Sequence, residues 1–403
     1  MKRSDRIGSP EIWETFVVFL KLGLTSFGGP VAHLGFFREE CVARRKWVTE
    51  AAYADLVALC QFLPGPASSQ VGFALGYIRA GLRGAFAAWL AFTLPSALIM
   101  IACAYGLRFI RTDSAWLHGL KIAAVAVVAQ AVWNMAVRLC PDRTRVTMAV
   151  IAACVVLSSE SAWVQIFVIS AGMAVGWLRF RRRFCESNGR DSDNLRPVRG
   201  GAFAIANIGV FFALLAGLPL IAASVQNEWL TLADGFYRAG ALVFGGGHVV
   251  LPLLEAETVG RGLLTRDEFL AGYGAAQALP GPLFTFAAYL GAVIMPDGPG
   301  WVAGFWCLTA VLLPSLLLVL GTLPYWQHLR RNPSAQAALT GANAAVVGIL
   351  LAAFYHPVWT AAIDSSQAMI LALAGFCALQ FWKAPPWLIV MLCAAGGAAL
   401  LRT

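Results

Sequence analysis

The chain is expected to be an all-α polytopic membrane protein built from two homologous, inverted repeats with broken helices, joined by a linker helix. Three observations lead there. Of its 403 residues 59% are hydrophobic and only 13% charged, with a mean hydropathy of +0.70, whereas a soluble domain carries about 25% charged residues. The stretch Gln61-Phe62-Leu63-Pro64-Gly65-Pro66 returns as Gln277-Ala278-Leu279-Pro280-Gly281-Pro282. Each copy interrupts an apolar run, because a proline has no N–H and drives the residue before it out of the helical region.

Other totals narrow the class. A net charge of +9 fits cytoplasmic loops obeying the positive-inside rule better than nucleic acid, since the arginines punctuate apolar segments. No cleavable signal is expected, because the first ten residues are polar and no small-residue cleavage site follows. The nine cysteines are scattered, without a CxxC pair or a histidine at ligand spacing, so no disulfide framework, metal site or cofactor is expected. HExxH and GxSxG are absent, which argues against an intramembrane hydrolase.

Taken in order, apolar segments run over 16–37, 51–78, 84–107, 122–139, 146–158 and 162–178. The basic cluster Arg179–Arg183 and the polar stretch to Gly201 read as a cytoplasmic linker, and 202–224 as a transmembrane helix carrying the chain across. Then the pattern restarts at 233–254, 268–295, 301–323, 337–355, 366–381 and 386–401. The expected organisation is therefore repeat 1 over 1–178, linker 179–201, linking helix 202–224 and repeat 2 over 233–401.

Matches between the halves go beyond the opening motif. Lys21-Leu22-Gly23 and Phe27-Gly28-Gly29 correspond to Arg238-Ala239-Gly240 and Phe244-Gly245-Gly246; Glu39 corresponds to Glu255, Thr49 to Thr265, Pro95-Ser96 to Pro314-Ser315 and Trp163 to Trp387. With the N-terminus (Lys2, Arg3, Arg6) and the Arg38–Lys46 loop both inside, 16–37 and 51–78 become re-entrant hairpins bent at Gly28-Gly29-Pro30 and Pro64-Gly65-Pro66; tilted full spans are the alternative. The linking helix then inverts repeat 2, whose loops Gln226-Asn227-Glu228 and Pro296-Asp297-Gly298 lack basic residues, while Arg330-Arg331 and Lys383 lie inside. Arg108 and Arg111 fit this orientation poorly.

Breaks repeated at matching positions point to a transporter site. Gly28, Gly29, Gly65, Gly245, Gly246 and Gly281 let backbone approach a ligand, and half-helices starting there aim free N–H groups at an anion. Taken alone, such glycines fit close helix packing. Lys21 and Arg238 are candidate counter-ions, since a cation inside the apolar core usually marks a substrate path; snorkelling competes for Lys21. Gln61 and Gln277 suit either an oxyanion or freed backbone groups. Ser68, Ser69 and Thr285 supply hydroxyls, with helix capping as the bland reading. Asp55, matched by Ala271, is the candidate proton-coupling group, against a structural pairing with Lys21. His33 and His248 follow the glycine pairs without aligning and are weaker candidates.

These motifs, Leu22-Gly23-Leu24-Thr25-Ser26-Phe27-Gly28-Gly29-Pro30 and Gln61-Phe62-Leu63-Pro64-Gly65-Pro66 with their second copies, resemble the chromate ion transporter family in its two-domain form, over almost the whole chain. The resemblance implies proton-motive-force-driven export of chromate across the bacterial inner membrane, conferring chromate resistance, with sulfate as a competing analogue. Gly247 stands where repeat 1 has Pro30, a divergence that leaves open which half holds the anion. Partners expected are a tetrahedral dianion, protons and membrane lipid, with no nucleic acid; the sequence leaves room for a homodimer. A passive anion channel is the second reading.

Overall fold

In the computed structural model, residues 9–108, 115–159, 162–185, 201–225, 227–295, 299–326 and 332–400 are described. The basic N-terminus, Arg111, Gln226, the 296–298 turn, Arg330-Arg331 and most of the expected linker (186–200) lie outside them. The described residues form sixteen α-helices and no strand, as an all-α membrane protein requires. Five helices are long and apolar enough to cross a bilayer: 67–106, 116–139, 202–225, 300–325 and 333–359. The chain is a polytopic membrane protein.

The first half opens with α1 (Ser9–Thr25), breaks at residues 26–28, and resumes as α2 (Gly29–Phe37), which runs into a π-helical turn, Arg38–Arg44. Helix α3 (Glu50–Phe62) starts at Thr49, whose side chain accepts the Ala52 N–H, and ends at the Pro64-Gly65-Pro66 break. Helix α4 (Ala67–Arg108) follows, bent where Ala80 and Gly81 leave helical geometry, so the expected gap between 78 and 84 is a kink and not a loop.

The second half repeats these devices. Helix α9 (Glu228–Ala241) breaks before Gly247, and α10 (Val250–Thr258) follows a short 3-10 turn. Helix α11 (Arg266–Ala278) is capped by Thr265 in a reciprocal box with Glu268, a device contributing roughly 1 kcal/mol. After the Pro280-Gly281-Pro282 break, α12 (Phe286–Ile294) and α13 (Gly300–Thr322) occupy the place of the bent α4. Thr49 and Thr265 thus cap corresponding helices.

Around these lie α5 (Ala115–Leu139), α6 (Arg143–Leu157), α7 (Ala162–Cys185), α8 (Ala202–Val225), α14 (Pro333–Ala353), α15 (Ser366–Gln380) and α16 (Pro386–Leu400). Helix α7 continues to Cys185, carrying Arg179–Arg182 on a helix where a linker was expected. Only 11% of the apolar window of α8 is buried, so that helix offers its surface to lipid. The scaffold helices pack crosswise between halves: α5 lies against α15 and α16, and α14 against α6 and α7.

Glycines set these crossings. On Gly341 of α14 a Cβ would lie 2.0 Å from the Gly172 carbonyl oxygen of α7, and one on Gly176 would lie 2.5 Å from the Ala337 oxygen. This is the small-xxx-small packing that substitutes in lipid for a hydrophobic drive. Gly341→Leu is therefore expected to separate α7 from α14. Thermal unfolding in detergent should show a midpoint well below wild type, and an unchanged midpoint would refute the tight crossing.

Candidate functional site

Four broken helix ends meet at the centre. At the two proline breaks the backbone turns through glycines in the left-handed half of φ space, Gly65 at +122° and Gly281 at +92°. Their N–H groups, freed from helical pairing, donate across the molecule. Gly65 N–H reaches the Val243 carbonyl at 2.7 Å, and Gly281 N–H reaches the Ser26 carbonyl at 3.0 Å. Ser26 and Val243 each stand two residues before their glycine pair, so the bonds form an exchanged set: the proline break of each half is tied to the Gly-Gly break of the other.

The same exchange holds around them. Cβ atoms built on Gly65 and Gly281 would lie 2.5 Å from Ser315 Cβ and 2.8 Å from Ser96 Oγ. Those serines follow the matched prolines Pro95 and Pro314, and each donates its hydroxyl three residues back, to Thr93 O at 3.2 Å and Leu312 O at 2.7 Å. Gly23 and Gly240 let α1 and α9 sit on carbonyls of the turns before these prolines, Phe92 and Val311. Between the two junctions Pro30 touches its own counterpart, with Pro30 Cγ 3.5 Å from where a Gly247 Cβ would be.

The expected site residues divide into those gathered here and those placed elsewhere. Gly28 and Gly29, at φ +101° and +73°, and Gly245 and Gly246, at +77° and +150°, form the other two breaks. Ser68 and Ser69 are buried at the start of α4. Thr285 is buried too, but its hydroxyl donates to Pro282 O at 2.8 Å and accepts no helix N–H, so it does not cap α12 with its side chain. Gln277 Nε2 has no partner, and the Tyr273 hydroxyl one turn before it meets His248 Nδ1 at 2.9 Å. Its counterpart Gln61 is exposed. Asp55 is half-buried on α3.

The two expected cations do not converge. Lys21 is exposed on α1. Arg238 is buried, and its Nη2 lies 2.9 Å from Asp234 Oδ2 and 3.1 Å from Glu257 Oε2; Arg261 Nη2 closes on Glu257 Oε2 at 2.7 Å. Two carboxylates between two guanidiniums form a neutral cluster linking α9 to the end of α10. A partly exposed counterpart links α1 to the π-helical turn of the first half. There Arg45 bonds Glu14 and Glu40, and Arg79 bonds Glu14. The Arg79 hydrogen bond, with help from Arg45, holds the Glu14 carboxyl below the usual range.

Sequence reasoning missed Ser26, Gln70 and Thr93 as candidates and ranked His33 low; all four are buried. His33 Nε2 lies 3.1 Å from the Ser26 carbonyl, and Gln70 Nε2 donates to Pro64 O at 2.8 Å. The signal available for Gln70 was its place one turn after the proline break. Among the described residues no cluster of His, Cys, Asp and Glu could hold a metal ion.

Comparison with known proteins bears directly on this duplicated arrangement. The chromate transporter family matches twice, over residues 13–177 and again over 230–398. The chain belongs to the chromate transporter family. It is 30% identical over 399 residues to the chromate transport protein of Pseudomonas aeruginosa, covering 96% of this chain and 92% of that protein. The chromate transport protein of Cupriavidus metallidurans is 26% identical, with 95% and 90% covered. An uncharacterized transporter of Methanocaldococcus jannaschii is 26% identical over 97% of this chain and 94% of its own length. No solved structure matches the fold. Membership in the chromate transporter family makes this a membrane transporter and not an enzyme, and both family matches contain one glycine-pair break and one proline break.

Proposed function

We propose that the chain is a secondary active transporter that exports chromate, or a related tetrahedral oxyanion such as sulfate, across the bacterial inner membrane. Export is driven by the proton motive force and confers chromate resistance. The halves 1–178 and 233–401 act as inverted repeats around the central breaks, the N-terminus lying in the cytoplasm. The observation that carries this reading is the exchanged pair of bonds, Gly65 N–H to Val243 O and Gly281 N–H to Ser26 O. Contacts in which i meets j′ and j meets i′ are what a two-fold axis makes, and broken helices meeting at such an axis suit an anion, whose charge the N-terminal dipole ends stabilise. Rocking of one half against the other would expose the centre alternately.

Since Arg238 is neutralised by its carboxylates, Lys21 at the surface would act in attracting the anion, and the backbone breaks with Ser68, Ser69 and Gln277 in holding it. The test is uptake of radiolabelled chromate into inside-out vesicles, with and without a proton gradient and with sulfate as competitor. Gradient-dependent accumulation is expected. Equilibration that ignores the gradient would replace the pump with a channel, and movement of sulfate alone would reassign the substrate.

A further inference from the structure

The two junctions match in backbone but not in polarity. At the first, where Gly281 of the second half meets the first half, three buried polar atoms have no hydrogen-bond partner: Ser26 Oγ, His33 Nδ1 and Thr93 Oγ1. Their residues are 0%, 1% and 3% exposed. Contacts of their residues link them to this junction. His33 Nε2 meets the Ser26 carbonyl, the same carbonyl that accepts Gly281 N–H. The His33 ring lies edge-on to Phe92, the neighbour of Thr93, at 5.4 Å. Ser96, whose hydroxyl donates to the Thr93 carbonyl, lies against Gly281.

At the second junction the corresponding positions are apolar. Val243 stands for Ser26, Leu312 for Thr93, and Val249-Val250 for His33, all buried. The two copies therefore differ at these three positions, although Gln70, which lies against Gly65 at the second junction and donates to Pro64 O, also leaves its Oε1 without a partner, as does the buried Ser69 Oγ. A buried polar atom without a partner costs about 1–3 kcal/mol, and three at one junction call for an occupant.

The chemistry of the three groups defines that occupant. A carbonyl only accepts, so His33 Nε2 carries the hydrogen and Nδ1 is left as a lone pair. Two hydroxyls can donate to oxyanion oxygens. A lone pair facing the same anion is repulsive unless a proton lies between them. We propose that Ser26, His33 and Thr93 form the oxyanion subsite of this transporter, the two hydroxyls donating to the anion and a proton resident on His33 Nδ1 lying between the ring and an anion oxygen, a proton that stays on the protein when the anion leaves. This rests on the transport reading above and adds which half binds and where the proton sits.

The titratable groups around α2 leave His33 to set the pH response. Lys21 on α1 is exposed, and Tyr53 on α3 donates its hydroxyl to the Leu34 carbonyl. Arg38, Glu39 and Glu40 follow α2 in the π-helical turn, Arg38 bonded to Glu50 and Glu40 to Arg45. Helix α4 presents Phe92 to the ring. From the second half, His248 beside Gly247 is turned to Tyr273.

The test uses the purified full-length protein in liposomes, measuring radiolabelled chromate and sulfate flux at several pH values. Ser26→Ala with Thr93→Val removes two hydroxyls that hold nothing within the protein, so the thermal midpoint should stay or rise while flux of the transported anion falls about tenfold or more. His33→Gln keeps a donor for the Ser26 carbonyl and removes the titration, and flux of sulfate, which stays a dianion throughout, should lose its dependence on pH. Full flux in the double variant would mean that the junction holds only water, overturning the assignment while the transport reading stands. A wild-type pH profile in His33→Gln would overturn the proton. Wild-type protein that moves neither anion would overturn the transport reading and this subsite with it.

Discussion

Gly65→Ala is expected to abolish transport and to cut the yield of folded protein. Two costs add at this position. A left-handed φ burdens an L-residue by roughly 1–2 kcal/mol, and the new Cβ would lie 2.5 Å from Ser315 Cβ and 2.8 Å from Gln70 Nε2. The Gln70 amide can swing away at the loss of its bond to Pro64 O, but the Ser315 Cβ is fixed to the backbone of α13. Overpacking of that kind costs about 1–3 kcal/mol. Shifting the break to relieve it would pull Gly65 N–H off the Val243 carbonyl, and an unpaired backbone group away from water costs several kcal/mol. Ser315→Gly removes the Cβ that clashes. The double variant Gly65→Ala/Ser315→Gly should therefore recover part of the folded yield, measured by size-exclusion chromatography, leaving the φ strain. Equal yields for the single and double variants would contradict the close contact.

Arg238→Met is expected to lower stability by about 3–5 kcal/mol, the cost of leaving a buried charge without its partner. Asp234 and Glu257 would remain with Arg261, which is 3.9 Å from Asp234 and partly exposed. The loss should be reversible by a second change. Arg238→Met with Asp234→Leu removes one charge of each sign and leaves the Glu257–Arg261 pair at 2.7 Å intact, so its thermal midpoint should return towards wild type. A substrate counter-ion would behave otherwise: the double variant would be stable and still inactive. Thermal unfolding together with vesicle uptake separates the two, and an unchanged midpoint in Arg238→Met would sink the structural role.

Much of the architecture was legible because its signals are local. Proline and glycine act on their own backbone, so the breaks at 64–66 and 280–282 and the caps at Thr49 and Thr265 can be read from a few residues each. Helix limits away from such signals were less legible: α1 begins at Ser9 and not at 16, and α7 runs on to Cys185. What the breaks bond to could not be read, because Ser26 and Val243 contribute carbonyls, and a carbonyl belongs to every residue. Arg238 was read as a counter-ion although Asp234 stands four residues before it on one helix face; Glu257 is brought in only by the turn at Gly245-Gly246. The polarity of the first junction was hidden likewise, since Ser26, His33 and Thr93 come together only when α1, α2 and α4 pack.

The bonds at the centre run from main chain to main chain, and beyond the glycine that donates they ask nothing of the residues concerned. A join made that way is indifferent to drift. Serine could give way to valine at one carbonyl, or the reverse, with the two halves still clasped. Ser26 and Val243 differ in side chain over matching carbonyl bonds.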